Sequence, residues 1–289
     1  MVMPATVLAL STLRLVATTK GGQGTGTGFL YSFKYKVGLA SMETLALLTN
    51  KHVIREAVEL TTTLSLLEKG HRGSISDNPA DQKVTHRQSS IDISPSNVFL
   101  HPKPEVDLCA INITGLFNQL SQSNDLRHYS FGEDQIPSAK FRKILRPIEQ
   151  VVMVGYPNGL WDEANNLPII RRGQTASHPL INWNGKPEFV VDCACFPGSS
   201  GSPIFLYEDG MYRTEDGSYS PGTNSMLLGI LYAGPMFSIE GKIIQKIIPT
   251  EVRDVPIFNS MLNLGFAISV DEIAPIRQLM NLPPASKQM

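Results

Sequence analysis

The stretch Pro197-Gly198-Ser199-Ser200-Gly201-Ser202-Pro203 runs directly into the apolar residues Ile204-Phe205-Leu206. A serine nucleophile needs a tight turn that lifts its hydroxyl into a cleft, and backbone N–H groups directed at the oxygen that becomes negative during acyl transfer. The glycines on either side of Ser200 allow such a turn because they accept positive φ angles and close backbone approach. An ordinary glycine- and serine-rich loop between two strands is the alternative, and the stretch alone leaves both open.

A histidine and an aspartate earlier in the chain have the chemistry that such a serine requires. A hydroxyl is a weak nucleophile, so it needs a base, usually histidine, and the base needs an orienting carboxylate. His52 lies at the end of the apolar run 47–49, and Asp107 lies where the apolar run 108–113 begins. A carboxylate that enters an apolar strand is costly unless it is hydrogen-bonded. Taken singly, each residue is explained equally well by a structural role.

The composition is that of a turn-rich globular protein. The 289 residues are 42% hydrophobic and 18% charged, with 23 glycines and 20 prolines. These values exclude a disordered chain, which would be poor in apolar residues and rich in charge. Lys and Arg number 25 against 26 Asp and Glu, a net charge of −1. No domain-wide positive field therefore attracts nucleic acid or an anionic membrane, and neither is predicted as a partner.

Short apolar runs between turn signals predict an all-β protein. The candidate strands are 12–18, 28–33, 45–49, 58–64, 108–113, 151–156, 189–193, 203–207, 227–232 and 265–270, with the first strand extended back to Val7. Helical periodicity appears at 116–120 and at 270–280. The polar stretches 71–86 and 121–138 are interpreted as surface insertions, the second of which separates two strand-rich halves.

Cysteine usage and the N-terminal sequence predict a soluble, cytoplasmic protein. The three cysteines, Cys109, Cys193 and Cys195, form an odd and sparse set that argues against a disulfide framework or a zinc site. The N-terminus lacks the basic-then-apolar order of a secretory signal, and no uncharged apolar run reaches membrane-spanning length. We expect free, buried thiols in a reducing compartment.

Six short motifs in the order of the chain resemble the trypsin-like serine peptidases of the chymotrypsin fold, and most closely the bacterial HtrA-type protease domain. They read Gly26-Thr27-Gly28-Phe29, Leu48-Thr49-Asn50-Lys51-His52-Val53, Val106-Asp107-Leu108-Cys109-Ala110-Ile111, Gly198-Ser199-Ser200-Gly201-Ser202-Pro203, Leu228-Gly229-Ile230 and Gly265-Phe266-Ala267-Ile268. Each is weak alone, and the ordered set carries the resemblance. Ser199 and Ser202 depart from it, since the family often has Asp or Asn and Gly there. No PDZ domain is expected after the last motif.

The resemblance implies a serine endopeptidase that acts through an acyl-enzyme and needs no cofactor and no metal. Ser200 is then the nucleophile, His52 the general base and later the acid, and Asp107 the residue that orients the imidazole. The backbone N–H groups of Gly198 and Ser200 are expected to form the oxyanion hole. The implied partner is a polypeptide substrate.

The same resemblance implies a single peptidase domain over residues 1–289. It predicts two six-stranded antiparallel β-barrels at about 10–115 and about 145–270, with the active site in the cleft between them. A short C-terminal helix at 270–280 is expected to follow.

The resemblance also places the pocket for the side chain that precedes the scissile bond. Its predicted substrate-binding residues are Ala194, Cys195, Leu231, Tyr232, Ala233, Gly234 and Gly265. Tyr232-Ala233-Gly234 matches the edge segment that pairs with the substrate backbone as an added strand. An apolar floor at Ala194 offers no countercharge, so small or medium apolar residues are predicted there.

Two other functions remain open from the sequence. One is a peptidase-like module that binds extended peptides without cleaving them. The other is an esterase that uses the same three residues. Covalent labelling by a fluorophosphonate separates the first from an enzyme, because only an activated serine reacts.

Overall fold

The computed structural model describes residues 4–70, 83–239, 258–261 and 263–283, and it contains two antiparallel β systems. Most of the predicted insertion 71–86 lies outside the described residues. No helix in the described part of the chain is long and apolar enough to cross a membrane.

The N-terminal system is an eight-stranded sheet. Its strands are β1 (Thr12–Thr19), β2 (Gly22–Val37), β3 (Ala40–Thr49), β4 (Glu59–Glu68), β5 (Val84–Ile91), β6 (Val98–Leu100), β7 (Cys109–Asn112) and β8 (Asn124–Leu126). The order is β5-β4-β1-β2-β3-β7-β6, and β8 pairs with β4. Within the described residues β5 and β6 do not pair, so this half is an open sheet where a closed barrel was predicted. Asp92 explains the gap: its carboxylate accepts hydrogen bonds from Ser94 and Asn97, which turns the chain between the two strands.

The C-terminal system is a closed six-stranded barrel, as predicted. Its order is β10-β11-β16-β13-β12-β9. The strands are β9 (Gln150–Gly155), β10 (Ile169–Thr175), β11 (Glu188–Asp192), β12 (Pro203–Arg213), β13 (Tyr219–Ala233) and β16 (Leu264–Ser269), and β14 (Met236–Ile239) pairs separately with β15 (Phe258–Met261). All ten candidate strands are present. The strands that the sequence did not reveal, such as β5 and β10, are too polar to form an apolar run.

Four helices accompany the strands: α1 (Pro4–Leu10), α2 (Lys51–Ile54), α3 (Thr114–Leu120) and α4 (Ile273–Leu279). The structure confirms both predicted helices, since α3 covers 116–120 and a 3₁₀ turn at Val270–Glu272 leads into α4. The extension of the first strand back to Val7 was wrong. Residues there form α1, which ends where the hydroxyls of Ser11 and Thr12 donate to the carbonyls of Val7 and Leu8.

The segment 121–138 is not the surface insertion that its polar composition indicated. Phe131 is buried, with its ring centroid 6.3 Å from that of Phe29 and 4.7 Å from that of Phe205. Its backbone also joins β2, because Phe131 N–H donates to Leu30 at 2.9 Å and its carbonyl accepts from Ser32 at 2.6 Å. One aromatic residue thus fixes this segment between the two β systems.

Candidate active site

His52 and Asp107 are held together at the ends of neighbouring strands. β3 ends at Thr49, and α2 then presents His52, while Asp107 lies two residues before the start of β7, the strand that pairs with β3. The Asp107 carboxylate accepts the backbone N–H of His52 at 3.1 Å and is hydrogen-bonded to Nδ1 of the ring. The Asn50 amide donates to the Asp107 carbonyl at 2.8 Å, which fixes the backbone of the aspartate as well.

Burial on either side of Asp107 explains why its carboxylate points at the histidine. Val106 and Leu108 are buried, with exposed fractions of 3% and 0%. The Leu108 N–H donates to the Val106 carbonyl at 2.9 Å, which closes a three-residue turn with half-buried Asp107 at its centre, between the two buried side chains. The imidazole of His52 stays 39% exposed. Its Nε2 therefore faces the accessible side of the site, where a base could receive a proton.

Two left-handed glycines shape the turn around Ser200. Gly198 has φ +85° and Gly201 has φ +88°, conformations that residues with a Cβ rarely adopt. A Cβ on Gly201 would lie 1.9 Å from the carbonyl oxygen of Thr27, and one on Gly198 would lie 2.6 Å from that of Tyr156. The turn thus requires glycine at both positions, for conformation and for space.

Backbone hydrogen bonds hold this turn against both β systems. The N–H of Thr27 in β2 donates to the Ser200 carbonyl at 2.8 Å. On the other side, Gly201 N–H donates to the carbonyl of Leu231 in β13 at 2.8 Å, and Leu231 N–H donates to that of Ser202 at 2.9 Å. Ser200 therefore sits where the two halves of the molecule meet.

The N–H groups of Gly198 and Ser200 make no hydrogen bond to an acceptor among the described residues. The carbonyl of Pro197 accepts from Asn158 N–H at 2.5 Å, and the carbonyl of Ser199 accepts from Ser202 N–H at 3.0 Å. In a trans peptide the N–H points opposite to the carbonyl, and no described peptide bond is cis. Both N–H groups point away from these protein contacts, and neither has an acceptor among the described residues.

The contacts of the three serine side chains in this turn are sparse. In the described part of the chain, no hydrogen bond joins the Ser200 hydroxyl to His52. The hydroxyls of Ser199 and Ser202 are buried without a hydrogen-bond partner. Ser199 and Ser202 are the two positions at which this chain departs from the family pattern, and both carry a buried neutral hydroxyl.

Three residues of the predicted specificity pocket lie in the interior of the barrel. Cys195 and Leu231 are both 3% exposed and pack in the barrel core with Phe189. A Cβ on Gly265 would lie 2.5 Å from Cys195 Sγ and 2.6 Å from Leu231 Cδ1, so there is no room for a substrate side chain at Gly265. Burial raises the pKa of the Cys195 thiol to about 12. These side chains face the core, and their part in a substrate pocket stays a prediction.

The remaining pocket residues are accessible. Ala194, Tyr232, Ala233 and Gly234 are all half-buried. The pairing of β13 with β12 ends at Ile230, whereas its pairing with β16 continues to Ala233. Beyond Leu231 one edge of β13 therefore has no strand partner within the described residues.

The pKa of Tyr232 is raised, first by burial and then by the hydrogen bond that its hydroxyl donates to Glu188 at 2.5 Å.

Sequence reasoning missed two residues of this region. Arg171 in β10 donates to the Ala194 carbonyl, and its guanidinium lies 4.8 Å from the Phe196 ring centroid. No local signal in the sequence distinguishes it from a solvated arginine. Thr27 was visible only as a member of the Gly-Thr-Gly motif.

In the described part of the chain, no group of His, Cys, Asp and Glu side chains is arranged to hold a metal ion.

The fold and this site define the trypsin-like class of serine proteases. A family model of the trypsin-like peptidase domain matches residues 26–211, a span that includes His52, Asp107 and Ser200. The chain belongs to this family and has a chymotrypsin-like fold.

Among solved structures, the chain is similar to the HtrA-type protease AlgW with tripeptide, at 16% identity and a TM-score of 0.47, covering 96% of this chain and 63% of that chain. It is also similar to the serine endoprotease from Yersinia pestis, at 14% identity and a TM-score of 0.44, covering 94% and 64%. The chain thus spans less than two thirds of the length of these proteins. No curated protein sequence matches it.

Proposed function

We propose that the protein is an endopeptidase that hydrolyses peptide bonds through an acyl-enzyme on Ser200, with His52 as the base and Asp107 as the residue that orients it. The observation that carries the proposal is the double hydrogen bond between Asp107 and His52. A carboxylate bound to Nδ1 favours the tautomer in which Nε2 accepts a proton, and it stabilises the imidazolium that follows.

The protein has a group suited to each step of this reaction. His52 Nε2 takes the proton of the Ser200 hydroxyl while Oγ bonds to the substrate carbonyl carbon, and the carbonyl electrons move to its oxygen. The N–H groups of Gly198 and Ser200 bind that oxyanion. His52 then gives its proton to the leaving amine, and a water molecule repeats the sequence on the acyl-enzyme.

The substrate is proposed to be an extended polypeptide. The open edge of β13 at 232–234 supports this, because it can pair with a peptide backbone as an added strand. We propose a small or medium apolar residue before the scissile bond, supported by the short side chain of Ala194. Arg171 lies beside Ala194, but its guanidinium is already engaged by the Ala194 carbonyl and the Phe196 ring.

Two predictions made from the sequence stay proposals. The single domain with halves at about 10–115 and about 145–270 is supported by the two β systems. A cytoplasmic location is supported by the three free, buried cysteines, which suit a reducing compartment.

A fluorophosphonate reaction combined with two hydrolysis assays tests the proposed function. We expect fluorophosphonate-rhodamine to label the full chain and not Ser200→Ala, and the wild type to cleave fluorescein-labelled casein. No labelling of a folded wild type would indicate a binding module instead. Labelling with turnover of p-nitrophenyl esters but no casein cleavage would indicate an esterase. Either result would contradict the proposal.

A further inference from the structure

Thr27 is wholly buried and forms hydrogen bonds to four residues in and around the turn at Ser200. Its N–H donates to the Ser200 carbonyl at 2.8 Å, and its hydroxyl donates to the Gly198 carbonyl at 2.9 Å. The same hydroxyl accepts the N–H of Tyr156 at 3.1 Å. Its carbonyl accepts the Thr49 hydroxyl at 2.7 Å, which ties it to the strand that leads to His52.

The direction of the Gly198 N–H depends on contacts at both of its flanking peptides. The peptide before Gly198 is held by Asn158, which donates to the Pro197 carbonyl. The peptide after it is held by the Thr27 hydroxyl. Glycine has low barriers to rotation, so a peptide next to Gly198 is free to turn unless its carbonyl is bound.

The Thr27 hydroxyl supports both of these contacts. It binds the Gly198 carbonyl directly, and it binds Tyr156 N–H, two residues before Asn158. Asn158 itself has φ +49°, a conformation that a residue other than glycine keeps only when its surroundings hold it. Removing the hydroxyl therefore frees the Gly198 carbonyl. It also removes a contact of Tyr156, in the segment whose Asn158 holds the Pro197 carbonyl.

We propose that the Thr27 hydroxyl positions the oxyanion hole by fixing the direction of the Gly198 N–H. It touches neither the substrate nor the Ser200 hydroxyl, so it acts through Gly198. This inference rests on the proposed function, because it assigns Thr27 to the oxyanion hole of that reaction. It also makes the Thr27 side chain one of the contacts that join the two halves, since Thr27 lies in the N-terminal sheet and Gly198 precedes β12.

A purely structural threonine is the alternative, and Thr62 provides a matched control. Thr62 lies in β4 of the same sheet, is 3% exposed, and its hydroxyl donates to the Arg14 carbonyl at 2.8 Å. Loss of the Thr62 hydroxyl leaves the Arg14 carbonyl without this donor, whereas loss of the Thr27 hydroxyl leaves both the Gly198 carbonyl and the Tyr156 N–H unpaired. Both variants should therefore lose stability, and Thr27→Val should lose more. Only the loss at Thr27 is expected to slow attack by Ser200.

The test measures saturation kinetics of fluorophosphonate-rhodamine labelling on the full chain. In this reaction Ser200 Oγ bonds to phosphorus, fluoride leaves, the serine proton passes to His52, and the phosphonyl oxygen occupies the oxyanion hole. Thr27→Val should lower the limiting labelling rate by about tenfold to a hundredfold, below the ~10²–10³-fold loss for deleting an oxyanion donor. The half-saturating probe concentration should change by less than about threefold. Thr62→Val should keep the wild-type limiting rate, and Thr27→Ser should restore it.

A wild-type limiting rate for folded Thr27→Val would overturn the inference, and so would an equal loss in Thr62→Val or a failure of Thr27→Ser to recover. If Thr27→Val does not fold, Thr27→Ala and Thr27→Ser form a second pair that differs in the hydroxyl, and equal rates for these two would overturn it as well. Absence of labelling in the wild type is a separate result, which contradicts the proposed function rather than the role of Thr27.

Discussion

Asp107 binds His52 at two points, with Oδ1 accepting the backbone N–H at 3.1 Å and Oδ2 hydrogen-bonded to Nδ1. One carboxylate therefore fixes both the start of α2 and the orientation of the ring that α2 carries. An amide in place of the carboxylate could satisfy only one of these contacts in the same way, because its nitrogen donates and does not accept.

The first prediction follows from this pair. Asp107→Asn should keep the fold and lower the rate of casein hydrolysis by about 10⁴-fold, as loss of the orienting carboxylate does in serine proteases. Asp92→Asn is the control, because Asp92 makes hydrogen bonds of similar kind in the turn between β5 and β6. An Asp107→Asn protein with more than about a tenth of wild-type activity would contradict the assigned role.

The second prediction concerns cooperation between the nucleophile and the base. Ser200→Ala and His52→Ala should each lower turnover by several orders of magnitude, and the double variant should be little worse than either single one. The reason is that residues acting as one unit lose their whole contribution when any of them is removed. Multiplicative losses in initial-rate measurements on the three purified proteins would show that the two residues act independently.

The third prediction is a difference in stability between two glycines. Gly201 and Gly210 have nearly the same positive φ, +88° and +84°, but a Cβ meets the Thr27 carbonyl at 1.9 Å in the first case and nothing within 4 Å in the second. Gly210→Ala should cost about 1–2 kcal/mol from backbone strain alone. Gly201→Ala should cost at least about 2 kcal/mol more, because the steric clash adds to the strain. Urea unfolding of both variants measures this, and equal losses would be inconsistent with the packing at Ser200.

The fourth prediction is alkaline destabilisation through a buried thiol. Burial raises the pKa of Cys195 to about 12, so above about pH 8.5 the unfolded chain releases a proton that the folded chain retains. The free energy of unfolding should therefore fall as pH rises from about 8.5 toward 12, by up to ~1.4 kcal/mol per pH unit for this group. Cys195→Ala should show a shallower decline in urea unfolding between pH 8 and pH 10. An unchanged slope would mean that the thiol is accessible.

The fifth prediction tests substrate preference at the position before the scissile bond. A peptide library should show cleavage mainly after Val, Ile, Leu, Ala or Met, graded over about 10–200-fold rather than absolute. Arg171→Met should leave this ranking unchanged, because the guanidinium is held by Ala194 and Phe196. A wild-type profile dominated by Asp or Glu that is lost in Arg171→Met would show that Arg171 pairs with the substrate instead.

Local patterns in the sequence were sufficient for most of the fold. Apolar runs predicted ten strands, and the glycine spacing around Ser200 predicted a turn that the structure builds with positive φ at Gly198 and Gly201. These succeed because alternation and glycine conformation are properties of neighbouring residues. The polar strands β5 and β10 were missed, since their pairing partners rather than their own side chains stabilise them.

Apolar composition could not separate pocket from core near the site. Cys195, Leu231 and Gly265 were predicted to line a substrate pocket, and in the structure they pack on one another inside the barrel. An apolar side chain on a strand can either line a pocket or pack in the core. Which of the two it does depends on whether it points out of the closed barrel or into it.

The sequence by itself determined the all-β class, the glycines of the serine turn and the identity of the residues with the required chemistry. Tertiary structure alone brought Asp107 to His52 and placed Thr27 against Gly198, a contact between residues 171 positions apart. The physical reason is that such contacts depend on strand register and on how the two β systems pack together. Both are set by interactions throughout the folded molecule, so they leave no pattern in any single stretch of the chain.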